Sequence, residues 1–187
     1  SDVNMLAYVL QQPNRYWRPE ELIDFTKQRF RPHFPPGEGF HYSDTGYVLL
    51  GLIAEEVTDK DLHELYTEII FDPLQMDHSF INLRCEPADE STPKMAQVYA
   101  GSYNIGGLKS LSADWGGGGL VSTLGDLLRF QTAFHDGSQL KESSAHAMKQ
   151  WTTESSETTY GFGLRKWETG MFAPEAGAIT FIGHTGA

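Results

Sequence analysis

A single cysteine, Cys85, stands among 187 residues, so an internal disulfide is excluded and the redox compartment stays open. Basic residues are scarce as well. Fourteen Lys plus Arg against 25 Asp plus Glu give a net charge of −11, which argues against nucleic acid or an anionic membrane surface as a partner. No apolar run reaches the roughly eighteen residues that a membrane-crossing helix needs. The N-terminus carries no basic stretch followed by an apolar one, the mark of a secretory leader. Internal repeats and low-complexity tracts are absent. His33, His41, His63, His78, His135 and His146 show no metal-ligand spacing with acidic or cysteine partners, so they read as surface or core residues. The run Gly116 to Gly119 lacks the GK[ST] that would make it a phosphate loop, and it reads as a flexible bend.

What is present suits one globular domain with room for two lobes: 40% of residues are hydrophobic and 12% aromatic. The first part of the chain reads as helical. Pro19 opens a helix with Glu20 and Glu21 in its first turn and Leu22, Phe25 and Phe30 near helical spacing. Asp44 or Thr45 can cap a second helix. Tyr47, Leu50, Gly51, Ala54 and Val57 form one of its faces and Leu49, Leu52 and Ile53 another, so it is apolar nearly all round and expected to be central. Leu62, Leu65, Tyr66 and Ile69 predict a helix ending before Pro73. Thr123 and Asp126 have capping-box spacing for a further helix whose buried stripe would be Leu124, Leu127, Leu128 and Phe134. Tyr160 to Trp167 and Ile179 to Gly183 read as two strands. The predicted class is α+β, with a mainly helical lobe at 1–157 and strands of an incomplete α/β lobe at 158–187.

Two clusters carry chemistry. His184-Thr185-Gly186 closes the last predicted strand, and Tyr42-Ser43-Asp44 stands 142 positions upstream (184 − 42) at the mouth of the apolar helix. Backbone N–H groups and a positive dipole at a helix start favour developing negative charge, as acyl transfer requires. A nucleophile is harder to find. A serine with a lysine three residues on, within one helical turn, would place amine beside hydroxyl. Ser91-Thr92-Pro93-Lys94 and Ser138-Gln139-Leu140-Lys141 have that spacing, but 13 serines and 7 lysines in 187 residues give about half a match by chance (13 × 7/187). The first holds a proline in a polar loop and the second follows Asp136-Gly137, a turn signal, so both read as decoys. No GxSxG elbow occurs, which removes the α/β-hydrolase reading.

Four ordered segments settle the resemblance. Phe34-Pro35-Pro36-Gly37 through Tyr42-Ser43-Asp44 to Leu50-Gly51, Phe71-Asp72-Pro73-Leu74-Gln75-Met76, Gly118-Gly119-Leu120-Val121-Ser122-Thr123 with Asp126-Leu127, and Tyr160-Gly161-Phe162-Gly163-Leu164 precede the terminal His-Thr-Gly. Together they resemble the serine β-lactamase and penicillin-binding protein superfamily, in the branch of class C β-lactamases, DD-peptidases and esterases. The resemblance implies a β-lactamase/DD-peptidase-like fold, mostly the helical lobe with part of the antiparallel sheet. It also implies that the chain is a piece of a larger enzyme, because the family's serine and lysine lie upstream of the tyrosine motif and further strands follow the His-Thr-Gly.

By the same resemblance, Tyr42 would shuttle a proton between serine and leaving group, and His184 would be catalytic. Asp44, Thr185, Gly186 and Ala187 would bind substrate, the backbone N–H of Ala187 completing an oxyanion hole. Asp44 stands where the family usually has asparagine. It cannot donate when ionised, so a helix cap or lysine partner is the alternative role. The function implied is a serine hydrolase acting through an acyl-enzyme on an amide, lactam or ester, without metal or organic cofactor, with DD-peptidase or esterase favoured over β-lactamase by His184. The alternative is a noncatalytic homologue that binds a peptide or protein partner. A small-molecule or peptide substrate, an extracytoplasmic or periplasmic location and self-association through exposed sheet edges complete the expectations.

Overall fold

Proline at the first helical position and two glutamates in the first turn start helix α1, Pro19–Arg29, in the computed structural model, which describes residues 7–168 and 179–186. The Arg18 N–H donates to the Glu21 carboxylate at 2.8 Å and the Arg15 guanidinium donates to it at 3.0 Å. The backbone bond, then Arg15, holds that carboxyl below its ordinary range. Backbone packing divides the chain into two units: Ser1–Arg31 with Ser43–Ala133, and Pro32–Tyr42 with Phe134–Ala187.

The first unit has a core of Val9, Trp17, Leu22, Val48, Leu62, Ile81 and Trp115. Helix α2, Asp44–Thr58, runs through it. A Cβ added at Gly51 would lie 2.9 Å from the Trp115 ring, so glycine is what lets that indole seat on the helix. Helix α2 is nevertheless not enclosed: only Val48 and Gly51 are buried, whereas Leu50 is 60% and Val57 74% exposed. Its apolar circumference needs partners on every side, and among the described residues Trp115 and its neighbours fill one. The glycine run is also no bend. Trp115–Gly118 forms a helical turn whose Gly116 packs within 3.3 Å (from an added Cβ) of the Tyr47 carbonyl oxygen.

Helix α3, Leu62–Tyr66, continues through a π-helical segment, Thr67–Phe71, into α4, Asp72–Leu74. The path therefore passes Pro73 instead of stopping before it. The π segment shifts the hydrogen-bond register, the Asp72 N–H going to the Thr67 carbonyl, and Pro73 falls in the first turn of α4, where a missing N–H costs little. Strand β1, Phe80–Ile81, pairs antiparallel with β4, Leu120–Val121, and β2, Tyr99–Ala100, with β3, Tyr103–Asn104. The glycine-rich turn Trp115–Gly118 is α5 in this numbering, and α6 is Leu124–Asp136.

Helix α6 begins as its sequence indicates, with the Thr123 hydroxyl accepting the Asp126 N–H at 3.2 Å. Its orientation reverses the expectation. Leu124 and Leu128 are 87% and 67% exposed, and the buried residues are Asp126 and Ala133, seven apart on one face. The Asp126 carboxylate, with no exposed surface, accepts the His78 N–H at 3.0 Å, the Ser79 hydroxyl at 2.8 Å and the Arg129 guanidinium at 2.9 Å. A carboxylate so matched turns the helix toward its partners, and the leucines turn outward.

In the second unit, helix α7, Glu142–Met148, precedes a four-stranded antiparallel sheet in chain order: β5, Thr152–Thr153; β6, Thr158–Tyr160; β7, Arg165–Glu168; β8, Thr180–Gly183. The single strand expected over Tyr160 to Trp167 is thus two strands of a hairpin. Gly163 has φ +73° and the Gly161 N–H donates to the Leu164 carbonyl at 2.8 Å, closing the turn between them. A Cβ at Gly161 would fall 2.1 Å from the Met148 carbonyl oxygen, which only glycine avoids. The α+β class holds, and no helix among the described residues is long and apolar enough to cross a membrane.

Asp126→Ala strands the His78 N–H, leaves the Ser79 hydroxyl with Ser122 alone, and is expected to cost about 2–4 kcal/mol in urea unfolding. Leu124→Ala, on the exposed side of the same helix, should stay within about 0.5 kcal/mol of the parent. Equal losses in the two variants would show that Asp126 does not set the orientation of α6.

Candidate active site

Strand register assembles the site in the second unit. Tyr160 on β6 faces Arg165 on β7, and Arg165 faces Gly183 on β8, so these three positions form one row across the sheet. His184 and Thr185 follow that row directly. The Tyr160 hydroxyl lies 2.9 Å from His184 Nε2, a hydrogen bond whose donor is set by the imidazole tautomer. Tyr42, at the end of the Pro32–Tyr42 segment of the same unit, brings its ring to 5.9 Å from Tyr160, edge to face, and 5.7 Å from His184. Phe40 packs on Tyr160 at 5.1 Å. Tyr160 is buried, Tyr42 half-buried, and His184 and Thr185 exposed, so the cluster runs from an aromatic floor to an open rim.

Arg165 ties this cluster together. Its Nε and Nη2 donate to the two Glu154 carboxylate oxygens at 2.6 and 2.5 Å, and its Nη1 donates to Thr185 Oγ1 at 3.3 Å. Its guanidinium carbon lies 5.5 Å from the Tyr160 ring and 5.9 Å from that of Tyr42. Glu154 balances the guanidinium charge, so the pair acts as a fixed hydrogen-bonding element beside two phenols and an imidazole and not as a free cation.

Of the residues singled out in the sequence, Tyr42, His184 and Thr185 therefore come together. At Gly186 an added Cβ would meet nothing within 4 Å, and Ala187 lies outside the described residues. Asp44 belongs to the first unit, at the first position of α2, with Ser43 occupying the cap and making no side-chain cap bond. Its charge acts on another carboxylate. Burial, then the neighbouring Asp44, pushes the Asp114 carboxyl above its usual range. Tyr160, Arg165 and Glu154 were not recognised from the sequence as site residues, although Tyr160 stands in the quoted Tyr-Gly-Phe-Gly segment. The spacing of Tyr160 and Arg165 across a glycine turn was the available signal.

Neither serine–lysine pair is built for nucleophilic work. Ser91 to Lys94 and Ser138 to Lys141 are non-helical, so the three-residue spacing does not stack amine on hydroxyl. Ser91 and Ser138 instead close turns by donating their N–H groups to Asp89 at 2.7 Å and Asp136 at 2.8 Å. The Ser91 side chain, then its backbone N–H, lowers the Asp89 carboxyl, and Ser138 does the same for Asp136. No group of three or more potential metal ligands occurs among the described residues.

The Beta-lactamase family model matches residues 6–187. A putative D-alanyl-D-alanine carboxypeptidase of Escherichia coli O157:H7 is 28% identical over 185 residues, covering 82% of this chain and 41% of the relative. A D-stereospecific amidohydrolase from Streptomyces sp. superposes with a TM-score of 0.80 at 24% identity, covering 95% of this chain and 52% of that one. The D-amino acid amidase of Ochrobactrum anthropi SV3, complexed with L-phenylalanine amide, gives a TM-score of 0.75 at 25% identity, with 94% and 54% covered. The chain thus spans about half the length of the proteins it matches.

Two measurements check this geometry. Incubation with penicillin followed by intact-mass and peptide analysis is expected to show no acyl adduct on Ser91 or Ser138, and an adduct on either would restore it as a nucleophile. Because the Asp114 carboxyl is raised in the folded state, its protonated form is favoured there. Its stabilising contribution is present below the ordinary carboxyl value of 3.8 and is lost as pH rises through the higher folded value. Asp114→Asn should flatten that part of the Tm–pH curve; an unchanged curve would mean that Asp114 does not titrate in the fold.

Proposed function

Because the chain belongs to the Beta-lactamase family, we propose that the protein carrying it is a serine hydrolase that opens amide bonds through an acyl-enzyme. The observation that carries the reading is the convergence of Tyr42, Tyr160 and His184 beside the Arg165 guanidinium. In the proposed cycle a serine oxygen, on neither Ser91 nor Ser138, bonds to the substrate carbonyl carbon. The carbon–nitrogen bond breaks, and the serine proton passes by way of Tyr42 to the departing amine. Water then cleaves the ester, giving up a proton along the reverse path. Tyr160 and His184 form the hydrogen-bonded wall against which Tyr42 is held, and Thr185 with Gly186 lines the approach of substrate.

The names of the relatives agree on one chemical feature, a D-configured residue at an amide: a putative D-alanyl-D-alanine carboxypeptidase, a D-stereospecific amidohydrolase and a D-amino acid amidase. Amides and short peptides of D-amino acids are therefore the proposed substrates, and the extracytoplasmic space, where wall peptides lie, is the proposed location. The noncatalytic alternative gains no support from these findings. Self-association is proposed through β5 and β8, the outer strands of the sheet among the described residues.

Tyr42→Phe in the full-length protein should lower turnover of a D-amino acid amide by about two to four orders of magnitude while leaving the unfolding midpoint nearly unchanged. Wild-type turnover in that variant would reduce Tyr42 to packing. Light scattering of the 187-residue chain at rising concentration should show association, and a concentration-independent monomer would remove the sheet-edge proposal.

A further inference from the structure

We propose that His33 and His41 are positioning residues, a stacked and proton-sensitive clasp that holds Tyr42 in place until a second proton on the pair opens it. The inference rests on the reading of Tyr42 as the proton shuttle and adds to it the device that fixes the phenol. The two imidazoles lie face to face, with ring centroids 3.8 Å apart and planes 11° from parallel. Both are exposed. Among the described residues neither imidazole forms a hydrogen bond or an ion pair, so each ring has the other as its partner.

The loop that carries Tyr42 has little else to close it. Pro32, Pro35 and Pro36 have no N–H to donate, and the backbone bond within the loop among the described residues is that of Glu38 N–H to the Pro35 carbonyl at 3.2 Å, turning on Gly37 at φ +84°. His33 and His41 stand four residues to either side of Gly37 (37 − 33 and 41 − 37), so their stack joins the two arms of the turn. Alternation then links stack to site. Phe40 and Tyr42 both reach the Tyr160 ring, at 5.1 and 5.9 Å, so the intervening His41 points away from it, toward His33. The charged groups near the clasp in the chain, Arg31 and Glu38, are exposed, and those facing Tyr42 from the sheet are His184, Tyr160 and the Arg165–Glu154 pair. One proton on the stacked rings meets no like charge. A second sets two cations 3.8 Å apart, a repulsion that in water shifts the closed population about sixfold. That second proton binds the open form better, so the clasp is closed at the alkaline end of the range in which imidazoles take up protons, about pH 8 to 5, and opens toward the acid end.

The test uses the full-length protein, with D-alaninamide as substrate and with histidine and tyrosine rings isotopically labelled for magnetic resonance. In the wild type the ring contacts His33 to His41 and Tyr42 to Tyr160 should be present at the alkaline end of the range and weaken together at the acid end. His33→Phe keeps a ring that stacks but takes no charge, so it should retain the Tyr42 to Tyr160 contact throughout. His33→Gln has no ring and should weaken that contact throughout. Turnover should follow: the ratio of kcat at the alkaline end to kcat at the acid end should be about sixfold smaller in His33→Phe than in the wild type. At the alkaline end kcat should fall in His33→Gln and hold in His33→Phe. A residue that only supports the fold would give no such difference in pH profile. Both side chains are exposed, so the variants should fold, and His41→Phe repeats the test from the other ring. Equal pH ratios in the wild type and His33→Phe, a wild-type Tyr42 to Tyr160 contact that persists at the acid end, or matching effects of the Phe and Gln substitutions each overturn the proposal. A wild type that never turns over the amide defeats the hydrolase reading, and the ring contacts then decide the clasp by themselves.

Discussion

A carboxylate removed from water has to be matched, and Asp126, with no exposed surface, is the constraint around which the first unit is arranged. Two pieces of chain meet on it: the His78 N–H and Ser79 hydroxyl from one distant segment, and Arg129 from the next turn of the same helix. Ser79 also shares a hydrogen bond with Ser122 at 2.8 Å, so the entry to β1 and the exit from β4 are joined by the same network. Each partner is worth only about a kilocalorie per mole as a net bond, but orphaning any of them leaves a buried polar group unmatched, which costs more. That asymmetry explains why the two-residue strands β1 and β4 hold their register and why α6 shows its leucines to solvent.

The second unit solves its positioning problem with strand pairing. Backbone hydrogen bonds place Tyr160, Arg165 and Gly183 abreast, so the side chains of the site inherit their spacing from the sheet instead of from a loop. The Arg165–Glu154 pair obeys the same rule as Asp126: charges shielded from water are kept where every polar edge has a partner. One edge of that pair is turned toward Thr185. A structural ion pair thereby reaches the rim where a ligand would arrive.

Features written in neighbouring residues were legible in the sequence. Pro19 with two glutamates marked the start of α1, Thr123 marked the start of α6, and both stand where expected. Features decided by distant partners were not. The face that α6 buries depends on Ser79, 47 positions away from Asp126, and no periodicity within the helix reports that bond. The Tyr160 to Trp167 segment looked continuous because its alternation persists on both sides of a turn that Gly163 alone makes feasible. In the site, Tyr42, His184 and Thr185 stood in recognisable segments. Arg165 and Glu154 gain their meaning only from register and from a fork between residues 11 apart, which spacing rules do not encode.

Helix α2 shows where composition and structure part. Leu49, Leu50, Ile53 and Val57 fall within about a hundred degrees of one another around the helix, the width of a core-facing stripe, yet all four are exposed. The opposite side, at Val48 and Gly51, is buried. Two forces then act on that stripe from different ranges. The net charge of −11 repels other copies over about a Debye length, roughly 8 Å at physiological salt. Apolar attraction acts only at contact and is not weakened by salt. Low salt accordingly keeps chains apart before the stripe can be felt. Rising salt removes the barrier and leaves the apolar surface to decide, so any association through α2 grows with ionic strength, the opposite of what charge-paired surfaces do.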